Sequence, residues 1–491
     1  MNTLIEATHQ IRSVENLGHF SVPPPFENRL VAKDPGGERR ELTTKLEQFL
    51  LTRHETPYLA VDLDVMEAKY RELRSHFPMA FIHYAVKANP AKEVVTLLAG
   101  LGSSFDVASR PELEMCLALG IHPFRLSYGN TIKKSTDIAY AFRRGIRRFA
   151  FDSEAELHKL ASNASGSAVM CRLQTTGDHA GWPLSRKFGC DLEMAAELLL
   201  MSRDLGLRPL GVAFHVGSQQ TDPTQWRRPV CEAAGLFRKL ARHNVTLDTV
   251  NIGGGFPVPY ESNVPRVGEF ASAIRRAMDE AFGSSQPNLM LEPGRSLVAE
   301  AGVIQSEVVL VSRKSLHDEM RWVYLDVGKF GGLAETLDES IKYPVRTQRT
   351  GKPGLVVLAG PTCDSADILY EKTVYELPLD LESGDRVEIL NTGATPAAMP
   401  RWDSTDFLHC GRIACKEIGS NSSLKRERHV QVHRTRSLIG FVLQHWRLLH
   451  EALGGPYAIS SHAAGVHFLR CRGLASKPWR CEASRCLSRT S

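Results

Sequence analysis

The chain has 491 residues, 43% hydrophobic and 23% charged, a composition that excludes a disordered or collagen-like protein and suffices for two domains around a large core. Its formal charge of +5 hides a break: residues 401–491 hold 12 Arg and 3 Lys against 6 acids, whereas residues 1–400 hold 45 basic against 49 acidic groups, so the total points to neither nucleic acid nor a membrane surface. No apolar run approaches bilayer-spanning length, and Glu6, His9, Arg12 and Glu15 interrupt the first thirty residues, so a cytoplasmic protein with ten reduced cysteines is expected.

Residues 1–40 are polar and irregular, with Pro23, Pro24 and Pro25 in a row and a Pro-Gly-Gly turn at 35–37. From residue 58 short β-branched or apolar runs alternate with segments of helical period. Strands are predicted near 81–86, 104–107, 124–128, 148–152, 168–174, 210–216, 248–252 and 288–292. Helical stretches between them include Lys92–Leu101, Glu112–Leu119, Ser153–Ala161, Met194–Asp204 and Val267–Ala281. Eight strands separated by helices meet the requirement of a closed (β/α)8 TIM-like barrel over 58–295, with a doubly wound open sheet as the other arrangement the count allows. After residue 296 the texture is strand-rich (Gly302–Val311, Arg321–Val327, Gly354–Leu358, Tyr375–Pro378, Arg386–Leu390), which predicts an α/β barrel followed by a β-rich domain built from 41–57 and 296–394. Beyond Gly393 the strand texture stops, and 395–491 forms an atypical basic tail.

Chemistry-bearing residues fall at the predicted strand ends. Lys87, in Tyr84-Ala85-Val86-Lys87-Ala88-Asn89-Pro90, closes the first barrel strand. Such a lysine commonly snorkels at a surface, but the C-terminal mouth of a barrel is its catalytic face, and a desolvated lysine there can form a Schiff base. Strand six ends in Phe214-His215-Val216-Gly217-Ser218-Gln219, strand seven in Asn251-Ile252-Gly253-Gly254-Gly255-Phe256-Pro257, and strand eight in Leu291-Glu292-Pro293-Gly294-Arg295. A triple glycine lets backbone N–H groups close on a phosphate, and Arg295 can add a charge-assisted contact. Taken singly each is an ordinary turn; together they describe a site for a phosphorylated cofactor bearing an aldehyde, most economically pyridoxal 5'-phosphate.

On these motifs residues 58–394 resemble the alanine-racemase-like, fold-type III pyridoxal-phosphate decarboxylases of ornithine, arginine and diaminopimelate. The resemblance implies that Lys87 carries the cofactor, supported by Asp106 and Glu112 in Phe105-Asp106-Val107-Ala108-Ser109-Arg110-Pro111-Glu112. It implies that Arg172 helps hold the ring hydroxyl and that His215 stacks on the ring. Ser218, Gly254, Gly255 and Arg295 would bind phosphate. Glu292 would pair with the pyridine nitrogen, keeping it protonated so that the ring accepts the electrons left by CO2. The run Gly360-Pro361-Thr362-Cys363-Asp364-Ser365-Ala366-Asp367 matches the family's second catalytic motif, which in relatives reaches the neighbouring subunit's site, so a homodimer with shared sites is implied. Cys363 would return a proton to the substrate carbon and Asp364 would hold the distal amine; a lone cysteine in a β domain is otherwise an inert buried thiol.

Asp364 stands where diaminopimelate enzymes typically carry Glu, and Asp326–Glu339 resembles bacterial ornithine decarboxylases, with Asp338 or Glu339 as a second acid. L-Ornithine is the expected substrate, yielding putrescine in polyamine biosynthesis, with L-lysine close behind. Diaminopimelate or carboxynorspermidine decarboxylation, and a non-catalytic homologue, are the other readings. No metal, nucleic acid or membrane is expected as a partner.

The resemblance breaks after Asn391-Thr392-Gly393-Ala394, where the family continues with a phosphate-contacting Tyr and a closing Gly-Phe-Asn-Gly-Phe, whereas this chain reads Thr395-Pro396-Ala397-Ala398-Met399. Back-translation from Thr395 with one T restored permits Tyr-Thr-x-x-Tyr-Ala-x-Val-Gly-Phe-Asn-Gly-Phe. The family's ending lies in another frame, so 395–491 reads as an out-of-frame ending, which sequencing the gene and transcript across this codon would decide.

Overall fold

A computed structural model describes residues 30–31, 42–53, 55–178, 180–182, 187–394, 407–410 and 413–417. Contacts divide the chain into Met1–Gly419 and Ser420–Ser491; the second unit, like most of the irregular start and of the basic tail, lies outside the described residues.

All eight predicted barrel strands form, as Phe81–Ala85, Ser104–Val107, Leu126–Tyr128, Arg148–Phe151, Ala168–Arg172, Arg208–Ala213, Thr249–Asn251 and Asn288–Leu291, and they close into a parallel barrel. Closure is made by the eighth strand on the first, Met290 beside Phe81 and Leu291 beside Ile82. These runs are apolar rather than alternating because a parallel barrel strand is covered on both faces. Ala168, Met170, Leu210 and Met290 form a small apolar cluster of their own among the strands, while the outer faces merge with the helices into the main core.

The helices start where local chemistry places them. Ser109 caps Arg110–Ala118 by accepting from the Glu112 amide, Pro111 sits in the first turn, and Asp191 caps Leu192–Asp204 through Met194 N at 2.8 Å. Asp62 likewise opens Leu63–His76.

The second sheet is organised around the eleven-residue strand Gly302–Ser312. It pairs antiparallel with Tyr58–Asp62, with Arg386–Leu390 and, at its far end, with Arg321–Leu325, which continues to Pro353–Ala359 and Ile368–Pro378. Two expectations are corrected here. Tyr58–Asp62, assigned from sequence to the barrel, belongs to this second sheet, since an apolar run does not reveal which sheet will cover it. The strand texture also does not end at Gly393: Phe407–Cys410 and Ile413–Glu417 form a hairpin whose second strand pairs with Tyr58–Asp62, Leu59 beside Lys416 and Val61 beside Ala414. Residues 41–57, expected to be part of the β domain, supply the helix Thr44–Thr52, which packs Leu46, Phe49 and Leu50 on Tyr58, Ala60, Val303 and Leu390.

Candidate active site

Lys87 lies in a single 3-10 turn, Val86–Ala88, directly after the first barrel strand. The turn is anchored on both sides. Ala85 N donates to Pro293 O at 2.9 Å, and the buried Asn89 amide donates to Gly393 O at 2.8 Å while Tyr84 OH donates to Asn89 O at 3.0 Å. The lysine is thereby tied to the strand-eight loop and to the end of the β domain at once.

A cavity of about 170 Å3 opens here, lined by Lys87, His215, Ser218, Gly255, Glu292 and Arg295 together with Glu335. Six of the residues singled out from sequence therefore converge on one space. A larger cavity of about 760 Å3, bordered by Gln174, Asp191, Arg228 and Glu232, shares none of them.

Electrostatics around Lys87 follow from burial. Asp106 is buried, accepts from Ser127 Oγ at 3.0 Å, and is pushed well above the usual carboxyl range by burial and then by the Glu292 charge, against the pull of Lys87 and Ser127. Glu112 is raised by burial, opposed by the Ala108 N–H, which it accepts at 2.8 Å, and by Lys87. Ser127 Oγ also lies 3.2 Å from Nδ1 of the buried His83, whose pKa is pushed down to about 3 by burial and then by Arg148. His215 is lowered to about 3 by burial, then by Arg172 and Lys87, and its Nδ1 accepts from Gly217 N at 2.9 Å. It is thus a neutral ring at physiological pH with its proton on Nε2. Its carbonyl accepts from Thr175 Oγ1 at 2.5 Å, which fixes the ring's backbone. Arg172, last in strand five, has its guanidinium 5.2 Å from the centre of the Phe188 ring.

The glycine run is dictated by close approach. A Cβ on Gly254 would stand 2.3 Å from Glu292 O, and one on Gly255, at φ 98°, 2.4 Å from Gly217 O. Glu292 is in turn held by Asn251, whose Nδ2 donates to Oε1 at 2.6 Å while its Oδ1 accepts from Gly253 N at 3.0 Å. Arg295 is engaged along one edge: Nη1 donates to Glu335 Oε2 at 2.7 Å and to Tyr260 OH at 3.0 Å, and Nη2 donates to Glu335 Oε1. Its Nε is buried with no partner among the described residues. A cradle without room for side chains, beside an orphaned buried guanidinium N–H, suits a tightly held anion such as a phosphate.

The remaining acids and the thiol lie elsewhere. Cys363 and Asp364 occupy an exposed loop, Pro361–Ala366, outside the Lys87 cavity. The buried Asp367 shapes that loop, accepting from Thr362 Oγ1 at 2.8 Å and Lys329 N at 2.7 Å. Asp338 is exposed, with φ 52°. Glu339, expected as a second substrate acid, is occupied otherwise: its carboxylate accepts from the amides of Glu371, Lys372 and Thr373 at 2.8, 2.7 and 2.6 Å. Sequence reasoning passed over Asn251, Glu335, Ser127 and His83 as functional residues. Asn251 and Glu335 stood inside singled-out runs, but only folding reveals their partners 41 and 40 residues away.

The profile of the family described as "Pyridoxal-dependent decarboxylase, pyridoxal binding domain" matches residues 63–299. The lysine/ornithine decarboxylase of Selenomonas ruminantium is 33% identical over 354 residues, covering 72% of this chain and 88% of that one. Among solved structures, the lysine/ornithine decarboxylase of Vibrio vulnificus complexed with putrescine superposes with a TM-score of 0.65 at 30% identity, covering 72% of this chain and 93% of that one. SrLDC in complex with PLP and cadaverine gives a TM-score of 0.67 at 29% identity over 81% and 99% of the two chains.

Proposed function

Because the chain belongs to the pyridoxal-dependent decarboxylases and is an amino-acid decarboxylase using pyridoxal phosphate, we propose that its substrate is L-ornithine, decarboxylated to putrescine for polyamine synthesis, with L-lysine as a second substrate. The observation that carries the reading is the meeting of Lys87, His215, Glu292 and the glycine cradle in one cavity. Bound pyridoxal phosphate supplies a ring that accepts the electron pair released when the α-carboxylate leaves. Lys87 would carry the cofactor, with Asp106 and Glu112 as its acidic neighbours, their carboxyls raised by burial and pulled back by the lysine. The neutral His215 offers a flat, uncharged ring to stack against. Glu292, oriented by Asn251, holds a proton on the ring nitrogen. Arg172 would hold the ring hydroxyl, and Ser218, Gly254, Gly255 and Arg295 would take the phosphate.

Cys363 returns a proton to the α-carbon, and Asp364, with Asp338, receives the distal ammonium. The exposure of Cys363 and Asp364 on a loop that does not line the Lys87 cavity supports delivery into the site of a second copy, so the working form is a homodimer with shared sites. The diamines complexed with the relatives' structures support a substrate with a terminal ammonium.

The test is CO2 release from L-ornithine, L-lysine, L-arginine and meso-diaminopimelate. The highest kcat/KM is expected for ornithine; release from diaminopimelate alone would sink the substrate assignment. Lys87→Ala is expected to abolish both turnover and the absorbance of bound cofactor.

A further inference from the structure

Arg295 has five N–H donors in a planar fork, and its partners divide them unevenly. Glu335 spans Nη1 and Nη2, and Tyr260 takes the second donor of Nη1. What remains is the whole Nε/Nη2 edge, a side-on fork with the geometry that carboxylates and phosphates accept. Glu335 is itself held: Tyr343 OH donates to its Oε2 at 3.0 Å, and Tyr343 is buried, its amide donating to Tyr370 OH at 2.9 Å. Both Glu335 and Arg295 border the Lys87 cavity.

A carboxylate beside an anion site is costly if charge alone matters, because it repels the ligand and offsets the guanidinium. Its presence makes sense if orientation outweighs charge. A long arginine side chain loses rotamer freedom when fixed, and a partner that fixes it beforehand removes that loss from binding. We infer that Glu335 is a positioning residue for Arg295, holding one edge of the guanidinium so that the opposite Nε/Nη2 edge is presented, preformed, to the cofactor's phosphate. The Glu335–Tyr343 pair makes the β domain part of the phosphate site without touching the ligand. This inference rests on the cofactor-site assignment above and deepens it.

The experiment titrates the full chain, freed of cofactor by dialysis, with pyridoxal phosphate and separately with pyridoxal, which lacks the phosphate, following cofactor absorbance and tryptophan fluorescence. Glu335→Ala is expected to weaken pyridoxal phosphate about tenfold or more and to leave pyridoxal within about twofold. Tyr343→Phe, which removes one buried hydroxyl, is expected to give a smaller loss of the same selectivity. Undiminished pyridoxal binding by the variants certifies that the site is folded. Equal or tighter pyridoxal phosphate binding by Glu335→Ala overturns the inference, as does an equal loss for both ligands. A raised KM for the amino acid with unchanged cofactor affinity overturns it too, making Glu335 a substrate acid. If the unaltered chain fails to prefer pyridoxal phosphate over pyridoxal, the cofactor-site assignment itself falls.

Discussion

Among the described residues Glu292 has one side-chain donor, Asn251 at 2.6 Å, and under the proposed cofactor assignment the pair would set how well the carboxylate faces the ring nitrogen. A hydrogen bond to a charged group contributes about 1.5–3 kcal/mol, so Asn251→Ala is expected to lower kcat for CO2 release about tenfold to a hundredfold, with KM for the amino acid nearly unchanged in steady-state assays. Gly254→Ala places a methyl 2.3 Å from Glu292 O and is expected to lower stability by about 1–3 kcal/mol in thermal unfolding. His83 makes an acid prediction. Its pKa falls from the ordinary 6.5 to about 3 on folding, so between those values the unfolded chain binds more protons and stability drops as pH falls. The contribution is fully present above about pH 6.5 and is reduced by about 2 kcal/mol at pH 5. His83→Phe, compared with the unaltered chain, is expected to lose less of its melting temperature between pH 7 and 5; identical pH profiles would count against a buried neutral His83.

At the scale of elements, the strand Tyr58–Asp62 has Gly302–Ser312 on one side and Ile413–Glu417 on the other. Without the second neighbour its outer amides and carbonyls become an open edge, a template for aggregation. A chain ended after Ala394 is therefore expected to melt lower and aggregate more than one ended after Gly419, measured by thermal unfolding and light scattering. The eight barrel strands were legible because each is a short apolar run between helical periods. Which sheet Tyr58–Asp62 would join was not, because the same apolar run satisfies either. The hairpin 407–417 escaped notice for a related reason: its sequence lacks the strand texture of 302–390, and its pairing with residues more than 340 positions earlier has no local signature.

For the whole molecule, the exposed Cys363 loop, which does not line the Lys87 cavity, and the proposed shared sites predict complementation between copies. Mixing Lys87→Ala and Cys363→Ala chains, each inactive alone, is expected to restore about a quarter of the native activity, because half of a random mixture is heterodimer with one intact site. No recovery would place Cys363 in its own chain's site. Among the described residues no helix is long and apolar enough to cross a membrane. Sequence alone placed the eight strands and pointed to the cofactor, because strand periodicity and the lysine, histidine, glycine and Glu-Pro-Gly-Arg motifs are local patterns, and the reaction class came with the family those motifs resemble; closure of the barrel needed the eighth strand on the first. Tertiary structure decided the partners. It gave Glu292 its Asn251, Arg295 its Glu335 and Asp106 its Ser127, and it set the Glu339 carboxylate against three amides. Those pairings join positions some twenty to forty residues apart, and a side chain's partner depends on which strand ends the closed barrel and its neighbouring sheet bring to one mouth.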